Sequence, residues 1–229
     1  MTGLTDDMTA VVFDFYGTLT PVTPSAAWAA NAARLASVMG AESPALVRVL
    51  DETFPERVSG AFGGVRETMR AVAERLGIAL SDEQLDAASR ARRDIQESMF
   101  ALRPEALDVI RRLRRDGLRI GLVSDCTAEL PDAWERLPLA ELVDAAVFSC
   151  IERTRKPDAR MFRAVAERLP ADPARCLYIG DGGSRELSGA RAMGMRAVLL
   201  AGRDWYQHRD HNLETDWTGP RVGSLTELV

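Results

Sequence analysis

The sequence of 229 residues is poor in cysteine and has no pair of cysteines spaced for a metal or redox motif. Its three cysteines, Cys126, Cys150 and Cys176, are odd in number and far apart. This argues against a disulfide framework and against a zinc site built from cysteine. Such cysteine usage is typical of a reducing compartment, and we expect a cytoplasmic protein.

An excess of positive charge is also lacking. Lys and Arg number 29 against 34 Asp and Glu, which gives a formal net charge of −5 at pH 7. Surfaces that bind nucleic acids or acidic membranes need clustered Lys and Arg, so neither partner is expected. No apolar run approaches the roughly 18 residues of a transmembrane helix, and the acidic N-terminus does not resemble a signal peptide. The expected partner is a small molecule, bound by a monomer or a homodimer.

Short apolar runs alternate with helical patterns along most of the chain. Their hydrophobicity is continuous, which predicts strands covered on both faces, as in a parallel sheet. The runs lie at residues 10–15, 118–124, 144–149, 176–180 and 196–200. Helical patterns lie near residues 104–116, 128–137, 157–169 and 184–194. This alternation predicts a doubly wound α/β fold with a parallel sheet.

Residues 21–101 interrupt the alternation with helical periodicity only. The predicted helices lie near residues 25–39, 44–54, 62–76 and 82–100, the last with Ser81 as its N-cap. A helical unit inserted after the first strand is a candidate lid. We therefore predict an α/β core from residues 1–20 and 102–229 and a helical cap from residues 21–101. The polar segment after residue 201 is predicted to be a loop over the sheet edge, with His208 and His211 as surface residues.

Polar side chains follow the predicted strands where each one ends. The carboxyl ends of parallel strands lie at one edge of an open α/β sheet, and ligands bind there. The first strand ends at Asp14, which is followed by the Gly17-Thr18 break. The later strand ends supply Ser124, Asp125, Lys156, Asp181 and Glu186. We expect these side chains to converge on one site.

The same residues resemble the motifs of the haloacid dehalogenase-like hydrolase superfamily, in which a helical cap follows the first strand. The segments KPDARMF and GDGGSRELSGARAMGM look like its third and fourth motifs. The resemblance implies that Asp14 is the nucleophile and forms a covalent intermediate that water hydrolyses. It also implies that Ser124 hydrogen-bonds the transferred group and that Lys156 offsets negative charge. The expected substrate-binding positions are Gly17, Thr18 and Asp125.

A cluster of carboxylates in one crevice predicts a metal ion. Unpaired acids raise one another's pKa, and Lys156 is the only clear counter-cation in the motifs. Mg²⁺ takes oxygen ligands and keeps several waters, which suits one or two direct carboxylates. We expect Asp14 and Asp181 to be direct ligands and Glu186 to act through water. In the family, the residue two positions after the nucleophile contributes its backbone carbonyl, which the resemblance assigns to Tyr16.

Tyr16 leaves the reaction type open. Family phosphatases have a second aspartate there, which protonates the leaving group, whereas a phenol is a poor base at neutral pH. The segment DFYGT matches the haloacid dehalogenases, which use no metal, while GDGGSRE is phosphatase-like. We favour Mg²⁺-dependent hydrolysis of a phosphorylated small molecule. The alternatives are a metal-independent 2-haloacid dehalogenase and a catalytically impaired binding or regulatory protein, and Tyr16 is either a catalytic or a packing residue.

Substrate specificity is expected to lie in the predicted cap. Arg34, Arg57 and Arg66 are candidates for binding an anionic group of the substrate, and the sequence does not choose among them. Cys126 is expected to be a small buried residue, because no histidine lies nearby in sequence and Asp14 already fills the role of nucleophile.

Overall fold

Six strands form one sheet in the computed structural model, which describes residues 3–205 and 213–229. The strands are β1 (Ala10–Phe13), β2 (Arg119–Ser124), β3 (Ala145–Phe148), β4 (Cys176–Gly180), β5 (Arg196–Leu200) and β6 (Arg221–Val222). Their order is β3-β2-β1-β4-β5-β6, and every neighbouring pair is parallel. The predicted α/β fold is confirmed. His208 and His211 lie outside the described residues.

The chain between residues 25 and 97, which lies between β1 and β2 in sequence, contains helices and no strand. They are α1 (Ser25–Met39), α2 (Ser43–Glu52), α3 (Phe54–Val58), α4 (Val65–Arg75) and α5 (Asp82–Glu97). All of them except α3 contribute to one hydrophobic cluster, which includes Leu35, Met69 and Ile95. Ser81 caps α5 as predicted, in a capping box with Gln84. The division of the chain into core and cap at residues 20 and 102 stays a prediction.

In the described part of the chain, five α-helices follow this insertion. They are α6 (Ala106–Arg115), α7 (Glu129–Ala133), α8 (Ser149–Glu152), α9 (Ala159–Arg168) and α10 (Glu186–Ala192). The helix expected to open at Pro157 begins two residues later, because the Asp158 side chain accepts the backbone N–H of Arg160 and forms the N-cap.

Both faces of the sheet are buried, which explains why the strands lack an alternating pattern. Val11 and Phe13 pack on one face in a cluster that includes side chains of α6 and α7, and Cys126 is buried there as predicted. Val12 and Tyr178 pack on the other face with side chains of α9 and α10. Each fully buried large side chain contributes roughly 1.5–3 kcal/mol to folding.

The chain after β5 adds to the sheet. β6 pairs with β5, and Ser224 and Glu227 form a capping box at the start of the turn Leu225–Leu228. The prediction of a loop is therefore wrong for this stretch, because a two-residue strand carries too short a pattern to be recognised. Within residues 3–205 and 213–229, no helix is long and apolar enough to cross a membrane.

Candidate active site

The central strands bring the predicted residues to one edge of the sheet. Phe13 of β1 is in register with Leu122 of β2 and Ile179 of β4. The next residue, Asp14, donates its backbone N–H to the carbonyl of Ile179 at 2.9 Å and is 4% exposed. The residues that follow β2 and β4 therefore lie beside Asp14.

A tight turn, Phe15–Leu19, follows Asp14. Gly17 has a φ of 78°, a left-handed conformation that glycine adopts without strain. Arg103, between α5 and α6, donates to the carbonyls of Gly17 at 2.8 Å and Thr18 at 2.9 Å. Sequence reasoning missed Arg103, because its partners lie about 85 residues away.

Two buried hydroxyls at this edge have no hydrogen-bond partner within residues 3–205 and 213–229. Thr18 Oγ1 and Ser124 Oγ are both inaccessible to solvent and unpaired. Unpaired buried polar groups destabilise a fold, so they are uncommon outside functional sites. Both hydroxyls are available to donate to an anionic group bound beside Asp14.

Lys156 is the only lysine in the sequence, and it lies between two carboxylates with 3% exposure. Its Nζ contacts Asp14 Oδ1 and Glu186 Oε2, each at 2.5 Å. Burial alone would lower the pKa of Lys156, but the two carboxylates hold that pKa well above its ordinary value. Its backbone N–H donates to Asp125 Oδ1 at 2.9 Å, so Asp125 helps to hold the backbone of this lysine in place.

Three acids lie close enough together to share one ion. Asp14, Asp181 and Glu186 are buried, and each offers an oxygen within 4.8 Å of the others. Burial raises the pKa of Asp14 to about 6, an effect that Lys156 opposes and Asp181 reinforces. Burial and the charge of Asp14 raise the pKa of Glu186 as well. A hard divalent cation such as Mg²⁺ fits these residues, because it would compensate the excess negative charge with oxygen ligands.

The contacts of Glu186 fix its orientation. Oε1 accepts the backbone N–H of Gly182 at 3.0 Å, and Oε2 accepts from Lys156 and from the Tyr178 hydroxyl at 2.8 Å. A Cβ on Gly180 would lie 2.1 Å from Oε1, so only glycine fits there. In this arrangement Glu186 can hold Lys156 in place and contact a bound ion through a water molecule rather than directly. Tyr178 was missed by sequence reasoning, because it lies within an apolar strand.

Tyr16 packs among aromatic side chains at the edge of the site. Its ring centroid lies 4.9 Å from that of Phe15 and 6.4 Å from that of Phe100. Burial raises the pKa of Tyr16 well above its ordinary value. Cys126 and Glu129 on α7 add to this rise, whereas Arg92 on α5, which pairs with Glu129, opposes it. The hydroxyl is therefore neutral at pH 7 and cannot act as a base.

The three candidate arginines occupy different environments. Arg34 and Arg66 form exposed or half-exposed ion pairs with aspartates of α5. Arg57 is buried and donates to the carbonyl of Leu50 at 2.6 Å. Burial lowers the pKa of Arg57 to about 9, and the like charge of Arg92 adds to this. Of the three, Arg57 alone lies in the interior.

A family model described as a haloacid dehalogenase-like hydrolase matches residues 8–194. The chain belongs to this family. The hydrolase is 36% identical over 93 residues to haloacid dehalogenase-like hydrolase domain-containing protein 3 of Bos taurus. That match covers 41% of this chain and 37% of the bovine protein, so it spans well under half of the relative.

Two other comparisons extend over nearly the whole hydrolase. A glyceraldehyde 3-phosphate phosphatase of Methanopyrus kandleri is 26% identical over 224 residues, which cover 96% of this chain and 95% of that protein. The crystal structure of a 2-haloacid dehalogenase from Pseudomonas syringae pv. Tomato DC3000 has a TM-score of 0.67 and 22% identity, with 96% of both chains covered. The structural likeness establishes a shared fold.

Proposed function

We propose that this hydrolase removes phosphate from a phosphorylated small molecule, with Asp14 as nucleophile and Mg²⁺ as cofactor. The observation that carries the proposal is the buried group of three acids within 4.8 Å of one another. Asp14 and Asp181 would bind the ion directly with the backbone carbonyl of Tyr16, and Glu186 would act through water. The M. kandleri relative, which is named a phosphatase and matches nearly the whole chain, supports the same substrate class.

The side chains present supply the nucleophile and the anion-binding groups of such a reaction. An Asp14 carboxylate oxygen bonds to phosphorus while the bond from phosphorus to the leaving oxygen breaks, and the leaving oxygen departs as an anion or takes a proton from water. A water molecule then hydrolyses the acyl phosphate to inorganic phosphate, the free carboxylate and a proton. The hydroxyls of Thr18 and Ser124 donate to phosphoryl oxygens, and Lys156 offsets negative charge. When bound, Mg²⁺ would supply further compensation of the phosphoryl charge.

Removal of the metal is expected to abolish turnover of p-nitrophenyl phosphate. We expect EDTA to lower the rate at least about 100-fold and added Mg²⁺ to restore it, because three clustered acids would otherwise repel a phosphate dianion. Absorbance of released p-nitrophenol measures the rate. A rate that is the same in EDTA and in Mg²⁺ would exclude the proposed cofactor.

The same preparation separates the other two functions. Halide release from L-2-chloropropionate in EDTA, without phosphate-ester turnover, would identify a dehalogenase, which the DFYGT segment favours. Ligand-induced thermal stabilisation without turnover of either substrate would identify a binding or regulatory protein. The acidic cluster favours the phosphatase outcome over both.

Tyr16→Asp is expected to raise turnover of alkyl phosphates by about 100-fold or more, because an acid at this position can protonate a poor leaving group. Turnover of p-nitrophenyl phosphate should change little, since p-nitrophenolate leaves without protonation. Steady-state rates on both esters measure the difference, and Tyr16→Phe is the matched control that keeps the ring. Equal rates on alkyl phosphates in folded Tyr16→Asp and wild type would show that Tyr16 is not a missing acid.

A further inference from the structure

The segment after β5 returns to the loop that carries two of the clustered acids. Trp205 donates its indole N–H to the backbone carbonyl of Asp181 at 2.8 Å. Glu214 is 1% exposed, and its backbone N–H donates to the carbonyl of Gly182 at 2.9 Å. Both contacts attach the C-terminal segment to the backbone beside Asp181.

The carboxylate of Glu214 also holds the start of α10. It accepts the backbone N–H of Leu187 at 2.7 Å and that of Ser188 at 3.1 Å, together with the Ser188 hydroxyl. These amides follow Glu186 directly in the chain. The carboxylate of Glu214 thus fixes the backbone just after Glu186. Its backbone N–H fixes the backbone just after Asp181.

The loop between the two acids needs such external support. Gly182, Ser184 and Arg185 all have positive φ, at 89°, 54° and 52°, and two of these residues are not glycine. Non-glycine residues in this conformation are strained and persist only where surrounding contacts hold them. The residue before α10, Arg185, provides no side-chain cap for the helix. The carboxylate that caps α10 therefore comes from Glu214, across 27 residues of sequence.

We propose that Glu214 is a positioning residue that holds Asp181 and Glu186 in the geometry the cation needs. This inference rests on the proposed Mg²⁺ site. Glu214 itself touches neither acid's side chain in these contacts, and it acts through the backbone of the loop and the first turn of α10. Residues that orient metal-binding groups in this way typically change metal affinity 10- to 100-fold when replaced.

Isothermal titration calorimetry of the full chain with Mg²⁺ alone tests this role. Glu214→Ala is expected to weaken Mg²⁺ binding by about 10- to 100-fold. Turnover should recover at saturating Mg²⁺, because Asp14 and Lys156 are unchanged, and a general structural defect would not be corrected in this way. The matched control is Glu227→Ala, which removes another C-terminal carboxylate that accepts backbone N–H groups, those of Gly223 and Ser224. We expect Glu227→Ala to bind Mg²⁺ within twofold of wild type.

Wild-type Mg²⁺ affinity in folded Glu214→Ala would overturn the inference and leave the proposed function standing. If the wild-type protein does not bind Mg²⁺, or if Asp181→Ala binds Mg²⁺ as tightly as wild type, the cation site is refuted. Both proposals are then refuted with it. If Glu214→Ala does not fold, Glu214→Asp replaces it, since a carboxylate one methylene shorter cannot reach both amides. Unchanged affinity in folded Glu214→Asp would overturn the inference equally.

Discussion

Asp14→Asn is expected to lower phosphate-ester turnover by about 10⁴-fold or more, because an amide cannot replace the carboxylate that bonds to phosphorus. The substitution keeps the shape of a side chain that is only 6% exposed, so the fold should persist. Rates with p-nitrophenyl phosphate at saturating Mg²⁺ measure the loss. Mass spectrometry after an acid quench should detect a phosphorylated Asp14 peptide in wild type alone.

The control for Asp14→Asn is Asp108→Asn on α6, where the side chain is 85% exposed and paired with Arg111. This variant should retain the wild-type rate. If folded Asp14→Asn kept more than about a tenth of the activity, Asp14 would not be the nucleophile, since loss of such a group removes far more than this.

Lys156→Met is expected to destabilise the metal-free protein by about 3–5 kcal/mol and to lower turnover at least about 100-fold. Removing one member of a buried ion pair leaves uncompensated charge in the interior, and here the ammonium group serves two carboxylates at once. Turnover falls because the same ammonium group offsets charge on the phosphoryl group. Urea unfolding in EDTA at pH 7 gives the free energy, and initial rates give the loss of activity.

A second substitution separates this effect from a packing defect. Adding Glu186→Gln to Lys156→Met should recover part of the lost stability, because one of the two orphaned carboxylates is then neutral. The matched control is Arg111→Met, which breaks the surface ion pair with Asp108. The two side chains of that pair are 52% and 85% exposed, so this substitution should change stability by less than about 1 kcal/mol. A Lys156→Met variant no less stable than Arg111→Met would show that the site tolerates unpaired acids without a cation.

Strands and long helices were predictable because their patterns are local. The runs that became β1 to β5 are mostly apolar, and Ser81 with Gln84 marks the start of α5 within four residues. α3 and β6 were missed for a physical reason: five and two residues are too few to show a period. Their conformations depend on neighbours that are distant in the sequence.

The residues of the site could be predicted from their type and position. The contacts that hold those residues in place could not. Asp14, Lys156 and Glu186 follow strands or precede helices, so topology alone brings them to one edge. The contacts made by Arg103 with Gly17 and by Glu214 with Ser188 join segments that are 86 and 26 residues apart and carry no motif. Such contacts depend on packing in three dimensions, which no single-sequence pattern records.

The presence of a single lysine limits how reagents that acylate amines can modify this protein. Acylating reagents have one lysine side chain to modify, and that side chain is 4% exposed between two carboxylates. Such reagents are therefore expected to reach its ammonium group only slowly while the native fold persists. Any acylation of Lys156 would in turn report that the interior around Asp14 had opened to the reagent.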